Sequence, residues 1–249
     1  MRGSGASSGN RDGFRSPKER LDYAEIVDWI VVQPWSNGSI GSTGISYVGA
    51  AADFLATTGH PAVKAVTPIF VVCDTFADYY NPNRLHVSFL GPKYNALMEA
   101  QDLADSEKIK NYSYFADPAY AGPAPVDEDP DGVLLAHASA EHGANVDTTQ
   151  FIREFAYRDD GLSYDPDFTA PMIGPAYYAD TINPDVAYYS VSGWMDAVYF
   201  ANAATRRFLS PPVECKHLLL GPWDHGARTN VSPFRTAELT EFEKMGAYL

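Results

Sequence analysis

The segment that most restricts what this chain can fold into is Gly44-Ile45-Ser46-Tyr47-Val48-Gly49, because of what stands on either side of it. Upstream, Asn37-Gly38 marks a tight turn and Ser39 to Thr43 reads as a short strand. Downstream, Ser46 to Thr57 reads as a helix, with Gly59 near its C-terminus and Pro61 beyond. Val63 to Val72 then follows, rich in β-branched residues and without charge after Lys64, the pattern of a strand buried in a parallel sheet. A serine between such a strand and such a helix occupies a sharp turn at the sheet's C-terminal edge. Its hydroxyl is lifted above the sheet, beside helix N–H groups that favour developing negative charge. A glycine before the turn lets the backbone bend without a Cβ clash. The spacing is G-x-S-x-x-G rather than the commoner G-x-S-x-G, and the alternative is a helix N-cap serine flanked by glycines.

The rest of the chain extends the same plan. An earlier helix begins at Ser16-Pro17-Lys18-Glu19, a capping box with proline at the first helical position; Leu21, Ala24, Val27 and Val31 supply its apolar face and Pro34 ends it. Strand signals return at Val186 to Val191 and His217 to Leu220, separated by a helical stretch from Ala197 to Leu209, which makes a βαβ unit of a parallel sheet. Between Asp74 and Pro184 the composition shifts to Tyr, Asp, Pro and Asn, with helical pieces near Tyr94 to Glu107 and Gly132 to Glu141. The expected architecture is an α/β fold with a mostly parallel sheet and a mainly helical inserted cap. Its divisions are residues 1–73 and 185–249 for the two parts of the core and 74–184 for the cap.

Composition narrows the partners. With 18 Lys+Arg against 32 Asp+Glu the formal net charge is −14, and such a surface repels a phosphate backbone or an anionic membrane. No apolar run approaches a membrane span, and the N-terminus has no apolar core of a signal peptide, so a cytoplasmic and a secreted location both stay open. Cys73 and Cys215 are the only cysteines; they exclude a disulfide-stapled scaffold and a Cys-rich zinc site but fit one bridge or two thiols equally. Asp127-x-Asp129-x-Asp131-Gly132 matches the start of a calcium loop. Ala138 stands where a bidentate glutamate is needed and Pro130 intrudes, so the better account is Asp129 capping a helix that begins with Pro130.

A serine nucleophile needs a base, and the base needs an orienting acid. Of the six histidines, His137 and His142 sit five apart in a cap helix and read as surface or cap residues. His60 follows a helix, His86 lies in an irregular stretch and His217 sits inside a strand. His225 closes Gly221-Pro222-Trp223-Asp224-His225-Gly226, a glycine-rich loop directly after the last strand. Asp196, in Ser192-Gly193-Trp194-Met195-Asp196, follows the penultimate strand on the same sheet edge; its competitors are Asp74 and Asp224. The chain order Ser46, Asp196, His225 is that of α/β-hydrolases. Tyr47, Trp194, Tyr199 and Trp223 cluster near these motifs, as pocket lining or as core.

Gln33-Pro34-Trp35, Asn37-Gly38, Gly41 and the Gly44 to Gly49 elbow resemble the nucleophile region of cocaine-esterase-like and X-prolyl dipeptidyl-peptidase-like serine hydrolases. Gly193-Trp194-Met195-Asp196 and Gly221-Pro222-Trp223-Asp224-His225 are similar to that family's acid and histidine motifs. The resemblance implies Ser46 as nucleophile, Asp196 as acid, His225 as base and the Tyr47 backbone N–H as one oxyanion donor. Trp194 and Trp223 are candidates to line the substrate pocket. It implies a small ester or amide as substrate, with no metal or organic cofactor. Arg2-Gly3-Ser4-Gly5-Ala6-Ser7-Ser8-Gly9, otherwise readable as a flexible tag, resembles the family's Arg-Gly-rich loop after an early strand. The expectation is therefore an internal fragment that lacks the first strands of its sheet and is open to self-association through the exposed edge. A truncated, non-catalytic chain is the competing class.

Overall fold

The computed structural model of the chain describes residues 1–80, 91–111, 127–196 and 200–227. His86, Tyr199, the start of the helix expected from Ala197 and the chain beyond Ala227 lie outside the described residues.

Helix α1 (Pro17–Val31) starts where the capping signal predicts, and Ser16 Oγ accepts from the Glu19 N–H at 3.3 Å. The other half of the capping box is not made. The Glu19 carboxylate turns inward instead and accepts from the hydroxyls of Tyr23 and Tyr47, with its side chain buried. The buried face of α1 therefore runs through Glu19, Tyr23 and Val27. Leu21, expected on that face, is 57% exposed.

Strand β1 (Ile40–Ile45) runs two residues further than the sequence suggests and ends immediately before Ser46. Helix α2 (Tyr47–Thr57) returns the chain to β2 (Val63–Ile69). That strand stops short of Val72 because Phe70 leaves the extended region. Its φ is +50°, its side chain is fully buried, and its N–H donates to Val191 O at 2.9 Å.

The inserted region begins with a π turn (Phe76–Tyr80) and contains α3 (Gly91–Asp102), α4 (Ser106–Ile109), α5 (Val133–Glu141) and α6 (Thr148–Arg153). Among the described residues a short antiparallel hairpin, β3 (Gly161–Leu162) with β4 (Asp165–Thr169), and three 3-10 segments (His142–Ala144, Ala170–Ile173 and Pro175–Thr181) complete it. The helix expected over Tyr94 to Glu107 is broken between α3 and α4, where Ala104 takes φ +53°. Helix α5 starts at Val133 rather than Pro130, yet Asp129 does serve it: its carboxylate accepts from the Leu134 and Leu135 N–H groups at 2.9 Å.

Strand β5 (Ala187–Gly193), helix α7 (Phe200–Leu209) and strand β6 (Lys216–Gly221) close the fold. The four long strands form one sheet in the order β1-β2-β5-β6, all parallel, with Ile45 opposite Ile69, Ile69 opposite Val191 and Gly193 opposite Gly221. Among the described residues β1 is an edge strand, and it alternates exposed and half-buried positions where β2 is largely buried. One core gathers Ala50, Phe54, Phe70, Val191, Phe200 and Trp223 at the C-terminal end of the sheet. A second, around Val27, Val63, Val66 and Val186, lies at the other end, and a third packs Phe151, Phe155, Phe168 and Ile173 within the insertion.

The N-terminal residues are part of this packing, which removes the flexible-tag reading. Arg2 Nε donates to Asp22 at 2.6 Å, and the buried Arg11 guanidinium pairs with buried Asp102. Asn145 Oδ1 accepts from the Arg11 N–H at 2.6 Å, while its amide donates to Gly3 O and Asp102, each at 2.8 Å. His142, read as a surface or cap residue, lies in the inserted region and is buried there, with its ring nitrogens 2.6 Å from Asp102 O and 2.7 Å from Ser7 O. Both cysteines are free thiols, and burial pushes Cys73 up to about 12.

One buried ion pair ties the two halves of the sheet together. Arg207 on α7 donates through Nε to Asp53 on α2 at 2.5 Å and through Nη2 to Val72 O at 2.5 Å, with both side chains nearly inaccessible. Removing one partner leaves an uncompensated charge in the core. Asp53→Ala and Arg207→Met are each expected to cost about 3–5 kcal/mol in urea unfolding, and the double variant Asp53→Leu/Arg207→Met less than the sum.

Glu19 supplies a pH test. Burial raises its carboxyl above the ordinary glutamate range, against the lowering effect of the Tyr23 and Tyr47 hydrogen bonds and of Arg15. A carboxyl raised in the folded state contributes stability that is full below its unfolded value and lost as pH climbs through the raised one. The melting temperature of the wild-type chain relative to Glu19→Gln is therefore expected to fall as pH climbs from the ordinary glutamate range through the raised value.

Candidate active site

The elbow at the end of β1 is built by close backbone approach. A Cβ on Gly44 would stand 2.5 Å from the Val48 carbonyl carbon, and one on Gly49 would stand 2.6 Å from Gly44 O and 2.9 Å from Ile69 O. Only hydrogen atoms fit at these two positions, which is the physical content of the G-x-S-x-x-G spacing. Ser46 between them has φ 62° and ψ −122°, a conformation that costs a non-glycine residue about 1–3 kcal/mol. Its N–H donates to Ile69 O at 2.9 Å. Its hydroxyl caps no N–H of α2 among the described residues, so the N-cap alternative does not describe it. The Tyr47 N–H opens the first turn of α2, where backbone donors have no partner within the helix.

Asp196 and His225 meet on the same rim. His225 Nδ1 lies 3.0 and 3.1 Å from the two carboxylate oxygens of Asp196. An ionised carboxylate accepts only, so this contact sets Nδ1 as the protonated nitrogen and leaves Nε2 as the basic one. The Asp196 side chain is 1% exposed, and burial raises its carboxyl, with the His225 contact opposing and Asp224 adding to the rise. Asp74, one competitor for the acid role, is engaged by Arg158 at 2.7 Å. His60 also has a carboxylate partner, Asp28 at 3.0 Å, but it precedes β2 and so stands at the end of the sheet away from Ser46.

Ser46 follows one edge strand and His225 the other, and three strand spacings separate those strands by about 14 Å. The loop after β6 shortens that gap by folding back over β5. Trp194 N–H donates to Gly221 O at 2.9 Å and Met195 N–H to Trp223 O at 3.1 Å. Gly193 permits the approach, since a Cβ there would stand 2.1 Å from Trp223 O. The His225 ring then lies against Phe70 at 6.0 Å between centroids and against Phe200 at 5.2 Å. Phe70 directly follows Ile69, whose carbonyl holds the Ser46 N–H, so the residue that packs on the imidazole is one peptide from the one that holds the elbow. Nothing in the sequence around Phe70 signals this role.

The aromatic candidates divide. Trp223 is 5% exposed and belongs to the core, stacked where a Cβ on Gly221 would stand, whereas Trp194 is 63% exposed on the rim. Tyr47 points its side chain away from the rim, its hydroxyl donating to Glu19 Oε2 at 2.8 Å and Oε1 at 3.1 Å. Its ring meets Phe14 edge-on at 5.1 Å. Among the described residues no three His, Cys, Asp or Glu side chains cluster as a metal site.

Comparison with known proteins gives the site a context. Residues 1–227 match the family described as X-Pro dipeptidyl-peptidase, S15. A protein of Mycobacterium bovis assigned as a serine esterase is 35% identical over 267 aligned positions, covering 100% of this chain and 42% of that protein, and one of Mycobacterium tuberculosis matches equally. The Xaa-Pro dipeptidyl-peptidase of Streptococcus thermophilus is 28% identical over 103 residues, 34% of this chain and 14% of its own length. The chain thus spans about two fifths, 42%, of the mycobacterial relatives. Among solved structures, a CocE/NonD family hydrolase from Staphylococcus aureus aligns with a TM-score of 0.59 at 18% identity, over 100% of this chain and 35% of that one. That likeness concerns the fold, and the fold is that of the α/β-hydrolases. Matched from its first residue through the loop that carries His225, the chain belongs to the X-Pro dipeptidyl-peptidase (S15) family.

Proposed function

We propose that this chain carries the catalytic rim of a serine hydrolase that cleaves esters or amides through an acyl-enzyme. The observation that carries the reading is the buried Asp196 carboxylate against His225 Nδ1, on the same rim as the strained elbow at Ser46. In this reading His225 Nε2 takes the Ser46 proton as Ser46 Oγ attacks the carbonyl carbon. The Tyr47 N–H stabilises the resulting oxyanion, and the protonated imidazole delivers its proton to the leaving group. Water, deprotonated by the same imidazole, then attacks the acyl carbon and releases the acid. Asp196 holds the ring in the tautomer that leaves Nε2 basic and stabilises the imidazolium.

Residues 74–184, inserted between β2 and β5, act as the cap that admits substrate, with the N-terminal residues locked to them through Arg11 and Asn145. Exposed Trp194 is the aromatic residue placed to meet a substrate. The family matched over residues 1–227 carries the X-Pro dipeptidyl-peptidase name, but among individual relatives an ester is favoured over an X-prolyl peptide: those that match along the whole chain are assigned as serine esterases, while the Streptococcus thermophilus dipeptidyl-peptidase covers 34% of it. Net charge of −14 favours neutral or cationic small substrates.

A fluorophosphonate probe is expected to label the wild-type chain at Ser46 and to leave Ser46→Ala unlabelled, read by peptide mass spectrometry. Label of equal yield in the alanine variant would end the reading. Asp196→Asn, which keeps the shape but favours the wrong tautomer, is expected to lower kcat about 10⁴-fold on p-nitrophenyl acetate with little change in melting temperature.

A further inference from the structure

Glu19 is a costly residue to bury, and its surroundings suggest what the burial serves. It sits on the first turn of α1, where its side chain had a local partner available in the Ser16 N–H, yet it reaches instead for two phenols. One belongs to Tyr23 on its own helix. The other belongs to Tyr47, the residue next to Ser46 and the first of α2. Arg15 is also buried here, its guanidinium 4.5 Å from the Phe14 ring centre, and Phe14 in turn packs edge-on against Tyr47. The charged and titratable groups facing Glu19 are thus Arg15 from the preceding loop, Tyr23 from α1, Tyr47 from α2 and, at longer range, the amino terminus.

A residue in the Ser46 conformation relaxes unless its neighbours hold it on both sides. On the strand side the Ser46 N–H is held by Ile69 O. On the helix side the Ser46 carbonyl accepts from the Ala50 N–H at 3.0 Å, and the Tyr47 side chain adds a second anchor, fixed at its tip by Glu19 and at its ring by Phe14. We propose that Glu19 is a positioning residue of this site: by tethering the Tyr47 hydroxyl to α1 it fixes the Tyr47 N–H where the oxyanion forms. The inference rests on the reading of Ser46 as nucleophile and adds a residue outside the triad to it. A donor displaced by a fraction of an ångström still binds substrate but loses transition-state stabilisation, so the loss falls on kcat rather than on KM.

The test uses the full chain with p-nitrophenyl acetate, and kcat is referred to sites titrated with fluorophosphonate, so that unfolded protein does not count. Tyr47→Phe and Glu19→Met are each expected to lower kcat per titrated site about tenfold with KM within about twofold. The double variant should be no slower than the slower single, because one tether is being cut twice. Glu19→Gln, whose amide oxygen still accepts from Tyr47, should keep kcat within about threefold of wild type. Wild-type kcat in Tyr47→Phe, additive losses in the double variant, or a Glu19→Gln as slow as Glu19→Met would each overturn the proposal. Should Glu19→Met fail to fold, Tyr47→Phe, which removes a single oxygen, decides. A wild-type chain with neither label nor turnover brings down the serine-hydrolase reading itself, whereas a labelled, active chain indifferent to these substitutions brings down the tether alone.

Discussion

The contact on which the arrangement depends is the Arg207 guanidinium in the core. It bonds Asp53 on the helix that follows Ser46 and the main-chain carbonyl of Val72 beyond β2, while belonging to the helix that leads to β6 and the His225 loop. Elbow and imidazole come from parts of the chain far apart in sequence, and hydrophobic contact alone is non-directional. A charged fork with a fixed partner on one side and a backbone carbonyl on the other gives the two helices a defined relative position. The desolvation it demands is met by complementary charge rather than by water.

The features legible in the sequence were those set by local sterics and periodicity. Ser16 and Pro17 marked the start of α1, and the uncharged run from Val63 marked β2. The glycines at 44, 49 and 193 lie where a side chain would collide with backbone a few residues or one strand away, so their motif spacing carries three-dimensional information. The same holds for Asp196 and His225, each placed directly after a strand of one sheet.

What escaped was decided by tertiary partners. Glu19 carries the signature of a capping box, but two phenols compete for it and win, and Tyr47 is the one that comes from another helix. Leu21 fits a helical apolar stripe, yet the buried face is turned by the need to enclose Glu19. The burial of His142 was not legible because nothing nearby in sequence announces the carbonyls of Ser7 and Asp102. Phe70 ends β2 with a left-handed backbone that no residue type there foretells. The constraint is its burial between the sheet and the His225 ring.

Among the described residues Ser46 and His225 follow opposite margins of the four-stranded sheet, with β2 and β5, the strand before Asp196, between them. Shear along any of the three strand interfaces would therefore shift Ser46 relative to His225. If the two act together as proposed, the rigidity of the pleated layer is itself a chemical variable.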